Sequence, residues 1–249
     1  MLSVKSDHEL AVMRRSGAIL RDLLVYLEEL VCDGVTTEYV DRKALEFILK
    51  NGAIPSFKDY NEYPANICIS LDDEIVHGIP GKRYIKDGML VKVDAGVFFE
   101  GFHTDAARTF EIGQVSEIKH NLAKVCKEAF FLGIAQLKDG ARLGDYAQAV
   151  QSYTELNGFS VVRDLTGHGI GRELHEDPMV LNYGKSGRGT RVSKGMTLAL
   201  EPMINAGKYH VTDPDESDGW TIRTLDKSPS AHYENTVIIN ESGVEIITL

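Results

Sequence analysis

The stretch GMLVKVDAGVFFEGFHTDAARTF, residues 88–110, carries the pattern on which the fold turns. Two runs of extended character flank Glu100-Gly101, a dipeptide suited to a two-residue hairpin turn. Folded about that turn, Asp105 falls opposite Gly96, and Asp94 lies diagonally adjacent on the same face. Diagonal neighbours sit roughly 7–8 Å apart at the backbone, close enough for two inward-leaning carboxylates to share a metal ion or a metal pair. Carboxylates beside Val91, Val93, Phe98 and Phe99 need compensation if they are buried, and a divalent cation would supply it. Taken alone, such a pair is more often a solvated face or a surface ion pair.

The pattern recurs. Gly88-Met89 leading to Asp94 is matched by Gly195-Met196 leading to Glu201. Ahead of the first copy, Ser6 and Glu9 form a capping box, and Leu10, Met13, Gly17, Leu20, Leu24, Leu27 and Val31 repeat every three or four residues, predicting a long amphipathic helix. A second helix is expected from a cap at Thr36 or Thr37 to the stop at Asn51-Gly52. Short β-rich runs follow at Asn66 to Ser70, Met89 to Asp94 and His103 to Phe110. Ahead of the second copy, Ser116 to Lys138 reads as a helix, Asp139-Gly140 resembles Asp33-Gly34, and another helix ends at Asn157-Gly158. Gly34 to Gly52 and Gly140 to Gly158 have equal spacing, and the offset from Asp33 to Asp139 nearly equals that from Asp94 to Glu201. Gly-rich turns recur by chance, but a carboxylate ending both copies argues against coincidence. The expectation is an α+β fold in which two pseudo-symmetric helix-helix-strand halves, about 1–112 and 113–249, form a single catalytic domain around a central antiparallel sheet.

Composition narrows the function. The 249 residues include 27 basic and 37 acidic side chains, a formal charge of −10, which argues against broad binding to nucleic acid or anionic membrane. Cys32, Cys68 and Cys126 form no close pair, so each reads as a buried small hydrophobe in a reducing compartment. The charged start of the chain and the lack of an apolar run of about 18 residues predict neither a signal peptide nor a membrane span, hence a cytoplasmic location. Tyr183 to Lys194, basic and glycine-rich, and the acidic Thr212 to Gly219 read as solvated loops.

Other chemistry-bearing residues lie in the second half. His168 sits in Gly167-His168-Gly169-Ile170-Gly171, where missing side chains let backbone or ligand come close. His175 follows in Leu174-His175-Glu176-Asp177-Pro178. Glu201 ends an apolar run and Glu234 precedes one; acidic groups at such places are costly unless paired. Each has a bland reading as a satisfied histidine or a solvated strand end. Together, four carboxylates and one imidazole make an oxygen-rich donor set suited to two divalent first-row ions, which acidify water and polarise a carbonyl. The chemistry is that of an amide hydrolase or a phosphoesterase.

With Val76-His77-Gly78-Ile79-Pro80, Glu201-Pro202 and Tyr233-Glu234-Asn235-Thr236 added to these motifs, the chain resembles the type I methionine aminopeptidases over nearly its whole length. The resemblance implies the pita-bread fold and removal of the initiator methionine from nascent chains and peptides whose second residue is small. It implies Asp94, Asp105, His168, Glu201 and Glu234 as metal ligands, with Asp105 and Glu234 bridging, His168 and Glu201 completing one site, and Asp94 the other. It also gives His175 a hydrogen bond to the scissile peptide, His77 a contact near the leaving amide, and Glu201 the proton shuttle. Tyr60, Tyr63, Cys68, Leu174 and Trp220, with Phe57 a weaker candidate, would form the methionine pocket; Leu174 departs from the family's usual Phe. Cobalt, manganese, iron or zinc would all suit the metal site, and a monovalent cation is implied near Asp72, Glu74 and Ser230. The expected partner is a peptide or nascent polypeptide, met by a monomer of the minimal bacterial type; the basic Lys185 to Lys194 run could also touch ribosomal RNA.

Three other readings compete. X-Pro aminopeptidases and prolidases share the fold but usually carry an additional N-terminal domain. A binding protein that had lost its metal should lack ligands, and a two-metal phosphoesterase leaves Tyr63, Cys68 and Trp220 unexplained.

Overall fold

A computed structural model describes residues 3–249 of the chain. Four long helices carry the framework: α1 (Asp7–Leu30), α2 (Thr37–Lys50), α3 (Glu117–Ile134) and α4 (Leu143–Leu156). Ser6 caps α1 through a reciprocal capping box with Glu9, and Thr36 caps α2 by accepting from Tyr39 N. Both devices satisfy backbone donors that a helix start leaves without an internal partner.

The decisive hairpin pairs Leu90–Phe99 with Phe102–Glu111 in the expected register, with Gly96 opposite Asp105. Its turn places both Glu100 (φ 48°) and Gly101 (φ 89°) in left-handed conformations, as a tight hairpin of this handedness demands. The first strand runs past the predicted end at Asp94 to Phe99. The other early run, expected over Asn66 to Ser70, forms a strand at Cys68–Leu71 that joins the same sheet through Cys68 opposite Asp94.

Strand alternation assigns the two faces their jobs. Val91, Val93, Ala95 and Val97 pack with Leu20, Leu24 and Leu27 of α1 and Ile48 of α2. Asp94 and Gly96 consequently face away from those helices. In the second half, Leu198, Leu200 and Val237 pack with Leu122 and Phe130 of α3 and Val150 of α4. Each sheet thus has one face sealed by a helix pair, and the opposite faces are left to build a site.

The five-stranded second sheet includes Gly167–Gly169, Thr197–Leu200 and Asn235–Ile239, and pairing is antiparallel in every sheet among the described residues. The two sheets meet where Ala107 and Glu234 exchange backbone hydrogen bonds of 3.3 and 3.0 Å. Thr236 reinforces the seam, its hydroxyl donating to Asp105 O and accepting from Asp105 N, each at 2.8 Å.

One expectation is corrected here. Cys32 is exposed, just beyond α1, whereas Cys68 and Cys126 are buried. The helix ends at Leu30, one residue short of the last position of its apolar periodicity, and the chain buries Val31 and releases the next residue to solvent. The Tyr183 to Lys194 loop contains no strand or helix, but it is tethered: Gly144 N donates to Arg188 O, and Asp145 accepts from Ser186 and Gly187. No helix among the described residues is long and apolar enough to cross a membrane.

Candidate metal centre

Asp94 and Asp105 project from the hairpin, His168 from the middle of a three-residue strand, and Glu201 and Glu234 from the ends of strands paired through Leu200 and Asn235. The glycines around His168 explain how the strand fits. A Cβ at Gly169 would stand 2.2 Å from Asp177 O, and one at Gly167 would stand 2.5 Å from Ala199 O. Neighbouring backbone therefore closes on the strand at both positions flanking His168.

Ligand atoms of Asp105, His168 and Glu234 lie within 4.8 Å of one another, and those of Asp94, His232 and Glu234 form a second such group. Glu234 belongs to both. Glu201 Oε1 is 3.7 Å from His168 Nε2, so it adjoins the first group. Asp94 Oδ1, Asp105 Oδ1 and Glu234 Oε1 are buried without a hydrogen-bond partner. Burial pushes the Asp94 carboxyl up to about 7, and burial with mutual repulsion holds Asp105 and Glu234 well above the carboxylate range; burial raises Glu201 likewise. Four acidic groups in one dry spot cannot all ionise unaided, and divalent cations answer both the charge and the orphaned oxygens. The donor set fits such ions.

The imidazoles are held neutral. Burial lowers His168 to about 3, and His77 and His232 to about 4. His175 is lowered by the same cause, and its ring centroid is 4.2 Å from that of His168.

A cavity of about 350 Å³ opens over this floor. Its lining brings together every residue expected at the site: the five acidic and imidazole groups, His77, His175, Tyr60, Tyr63, Cys68, Leu174, Trp220 and Phe57. Tyr63 meets Trp220 edge-on at 5.1 Å, and Tyr63 Oη donates to the carbonyls of Ile67 and Gly78. Asp218 accepts from Trp220 N and Thr221 N, so the acidic loop fixes the backbone that carries the indole. His77 has φ 60°, a left-handed backbone that is unfavourable for a residue with a Cβ and common at functional sites.

Sequence reasoning missed several participants. Asp164, Leu165, Thr166 and Met203 also line the cavity, and no motif marked them. His232 was detectable, since it stands two residues before Glu234 in an extended segment and so shares its side of the chain. Asp72, Glu74 and Ser230 do lie near one another, Ser230 N donating to Asp72 O. Glu74 is paired with Arg83 and Arg223, and the buried Lys92 donates to Asp72 O at 2.7 Å.

The sequence profile described as metallopeptidase family M24 matches residues 11–241. The chain belongs to metallopeptidase family M24. This M24 chain is 50% identical over 249 residues to a methionine aminopeptidase of Clostridium perfringens, covering 100% of the chain and 99% of that protein. It is 42% identical to methionine aminopeptidase 1 of Bacillus subtilis, covering 100% of the chain and 99% of that relative. The crystal structure of methionine aminopeptidase from Rickettsia prowazekii superposes with a TM-score of 0.98 at 38% identity, covering 100% of both chains. These likenesses group the M24 chain with the methionine aminopeptidases and give it the pita-bread fold. A prolidase from Pyrococcus furiosus, at TM-score 0.79 and 21% identity, covers 99% of this chain and 65% of that one and shares the fold alone.

Proposed function

We propose that this metallopeptidase hydrolyses the first peptide bond of peptides and nascent chains that begin with methionine, favouring a small second residue. The observation that carries the reading is the convergence of Asp94, Asp105, His168, Glu201 and Glu234 beneath a cavity walled by Tyr63, Cys68, Leu174 and Trp220. Asp105 and Glu234 would bridge two divalent cations, cobalt, manganese, iron or zinc, with His168 and Glu201 completing one position and Asp94 the other. When bound, such ions supply an acidified water nucleophile and polarise the scissile carbonyl.

The chain's own groups do the rest. Glu201, raised by burial, suits a carboxyl that takes a proton and returns it to the leaving amine. His175, at the exposed rim, hydrogen-bonds the scissile peptide, and His77 contacts substrate near the leaving amide. Aromatic and sulfur surfaces from Tyr63, Cys68 and Trp220 receive the thioether, and Leu174 completes that wall.

The surroundings of Asp72 and Glu74 argue less for a monovalent cation, because Arg83, Arg223 and Lys92 already bring positive charge there. Residues 1–112 and 113–249 are read as two halves of one catalytic domain, acting as a monomer in the cytoplasm, where unpaired cysteines persist. Contact of the Lys185 to Lys194 run with ribosomal RNA remains a hypothesis; unchanged co-sedimentation with ribosomes after charge reversal at Arg188 and Arg191 would sink it.

The deciding experiment incubates metal-loaded protein with Met-Ala-Ser, an Ala-Pro peptide and a phosphate ester. Free methionine from the first alone is expected. Cleavage confined to either of the others overturns the proposal.

A further inference from the structure

His232 has no part in the five-ligand set, yet its ring is placed at the metal centre. The residue is 1% exposed, and neither ring nitrogen has a hydrogen-bond partner. A buried imidazole with both nitrogens unsatisfied is costly, so the arrangement points to a group that takes one of them. Its Nε2 lies 3.5 Å from Glu201 Oε2 and 3.7 Å from Glu234 Oε2. Those separations exceed a good hydrogen bond. The ligand atoms of Asp94, His232 and Glu234 lie within 4.8 Å of one another, and two donor atoms each about 2.1 Å from one ion stand about 3.0–3.5 Å apart at octahedral to tetrahedral angles, so the 3.7 Å to Glu234 is only slightly beyond co-ligand spacing.

The backbone that carries the ring is pinned from two sides. His232 N donates to Thr109 Oγ1 at 3.0 Å, while the same hydroxyl donates to His232 O at 2.8 Å. On its other side His232 pairs with Met203. The ring is therefore presented from a rigid element, as a ligand must be for a low reorganisation cost.

We infer that His232 supplies a nitrogen donor to the ion held by Asp94 and Glu234, so that each of the two metal positions contains one imidazole. This rests on the two-metal reading above and extends it. Four carboxylates with two imidazoles form a softer donor set than four with one, which moves preference from manganese toward iron, cobalt and zinc.

The test loads wild-type protein and His232→Gln with two equivalents of Co²⁺ and records proton NMR for hyperfine-shifted imidazole N–H signals that vanish in D₂O. Two such signals in the wild type, one of them lost in the variant, are expected. Equilibrium dialysis should then show one Co²⁺ dissociation constant raised by roughly 10-fold or more in the variant and the other little changed. A single signal in wild-type protein that binds two Co²⁺ and releases methionine overturns the inference and leaves the proposed function standing. Failure of the wild type to bind Co²⁺ removes both. The wild-type spectrum decides the point even where the variant does not fold.

Discussion

Tyr60 Oη lies 2.7 Å from His175 Nδ1, and the two rings stand 5.1 Å apart between centroids. Burial, with the nearby charge of Glu173, holds the phenol above its ordinary range, so the proton stays on Tyr60. Burial keeps His175 neutral as well. A neutral ring that accepts at Nδ1 carries its N–H on Nε2, which leaves that donor for substrate. Tyr60→Phe is therefore expected to lower kcat/KM on Met-Ala-Ser by about 10-fold, and His175→Ala by about 10²–10⁴-fold, a range ordinary for a lost catalytic donor. Metal analysis should find both variants fully loaded; a metal-poor His175→Ala protein would contradict the assigned role.

Glu234 is the member common to both groups of ligand atoms. Its replacement by Ala should weaken both ions, each by about 10–100-fold, while Asp94→Ala weakens one. Glu201→Ala should reduce metal loading and turnover together. Calorimetric titration with Co²⁺ resolves the two steps, and an intact pair of steps in Glu234→Ala would exclude a bridging role.

The raised carboxyls make metal loading a proton-releasing reaction. A carboxyl whose value is lifted holds its proton below that value, and an ion must displace it. With Asp94 at about 7, at least this group is protonated at pH 6, and Asp105, Glu201 and Glu234 are displaced in the same direction. His168 at about 3 is already neutral there and contributes no proton. Apparent affinity should rise with pH from 5 to 7 by about 10-fold per unit for each proton displaced. Titrations in buffers of different ionisation enthalpy count the protons; zero release at pH 6 would show that the carboxyls are ionised before the ion arrives.

Local rules made much of this molecule readable. The capping residues Ser6 and Thr36, the left-handed Glu100-Gly101 turn and the register placing Gly96 opposite Asp105 are short-range chemistry, and each was visible as spelling. Ile54–Pro55 and Ser160–Val161 were not, because strands of two residues have no periodicity and exist only by pairing with distant partners. The five acidic and imidazole groups were legible through their motifs. Asp164, Thr166 and Met203 were not, since they reach the cavity through tertiary packing alone.

Gly169 is required by its neighbours rather than by its own backbone. A Cβ there would meet Asp177 O at 2.2 Å and Asp177 C at 2.7 Å, and main chain cannot swing aside as a flexible side chain can. Gly169→Ala should cost about 1–3 kcal/mol in stability, the usual range for overpacking. The displaced strand also carries His168, so metal affinity should fall with it. Urea unfolding of the metal-free variant separates the two effects, and wild-type stability would show that the two strands part without strain.

Lys5 reaches across the chain to hold the segment that bears His175. Its ammonium lies 2.6 Å from Glu176 Oε2, with side chains 3% and 14% exposed, while Glu176 Oε1 accepts from Arg172 N at 2.8 Å and Glu173 N at 3.3 Å. One carboxylate thus ties the N-terminal segment, the turn before His175 and the residue after it into a single unit. Removing one partner of a buried pair costs roughly 3–5 kcal/mol, but Glu176 would keep its two backbone donors, so Lys5→Met is expected to cost about 1–3 kcal/mol. Because His175 follows the tethered turn directly, kcat should fall more than metal affinity does. Lys5→Arg, which keeps the charge, should recover most of the loss. Equal kcat in Lys5→Met and wild type would mean that Tyr60 alone positions the imidazole and that the tether serves stability only.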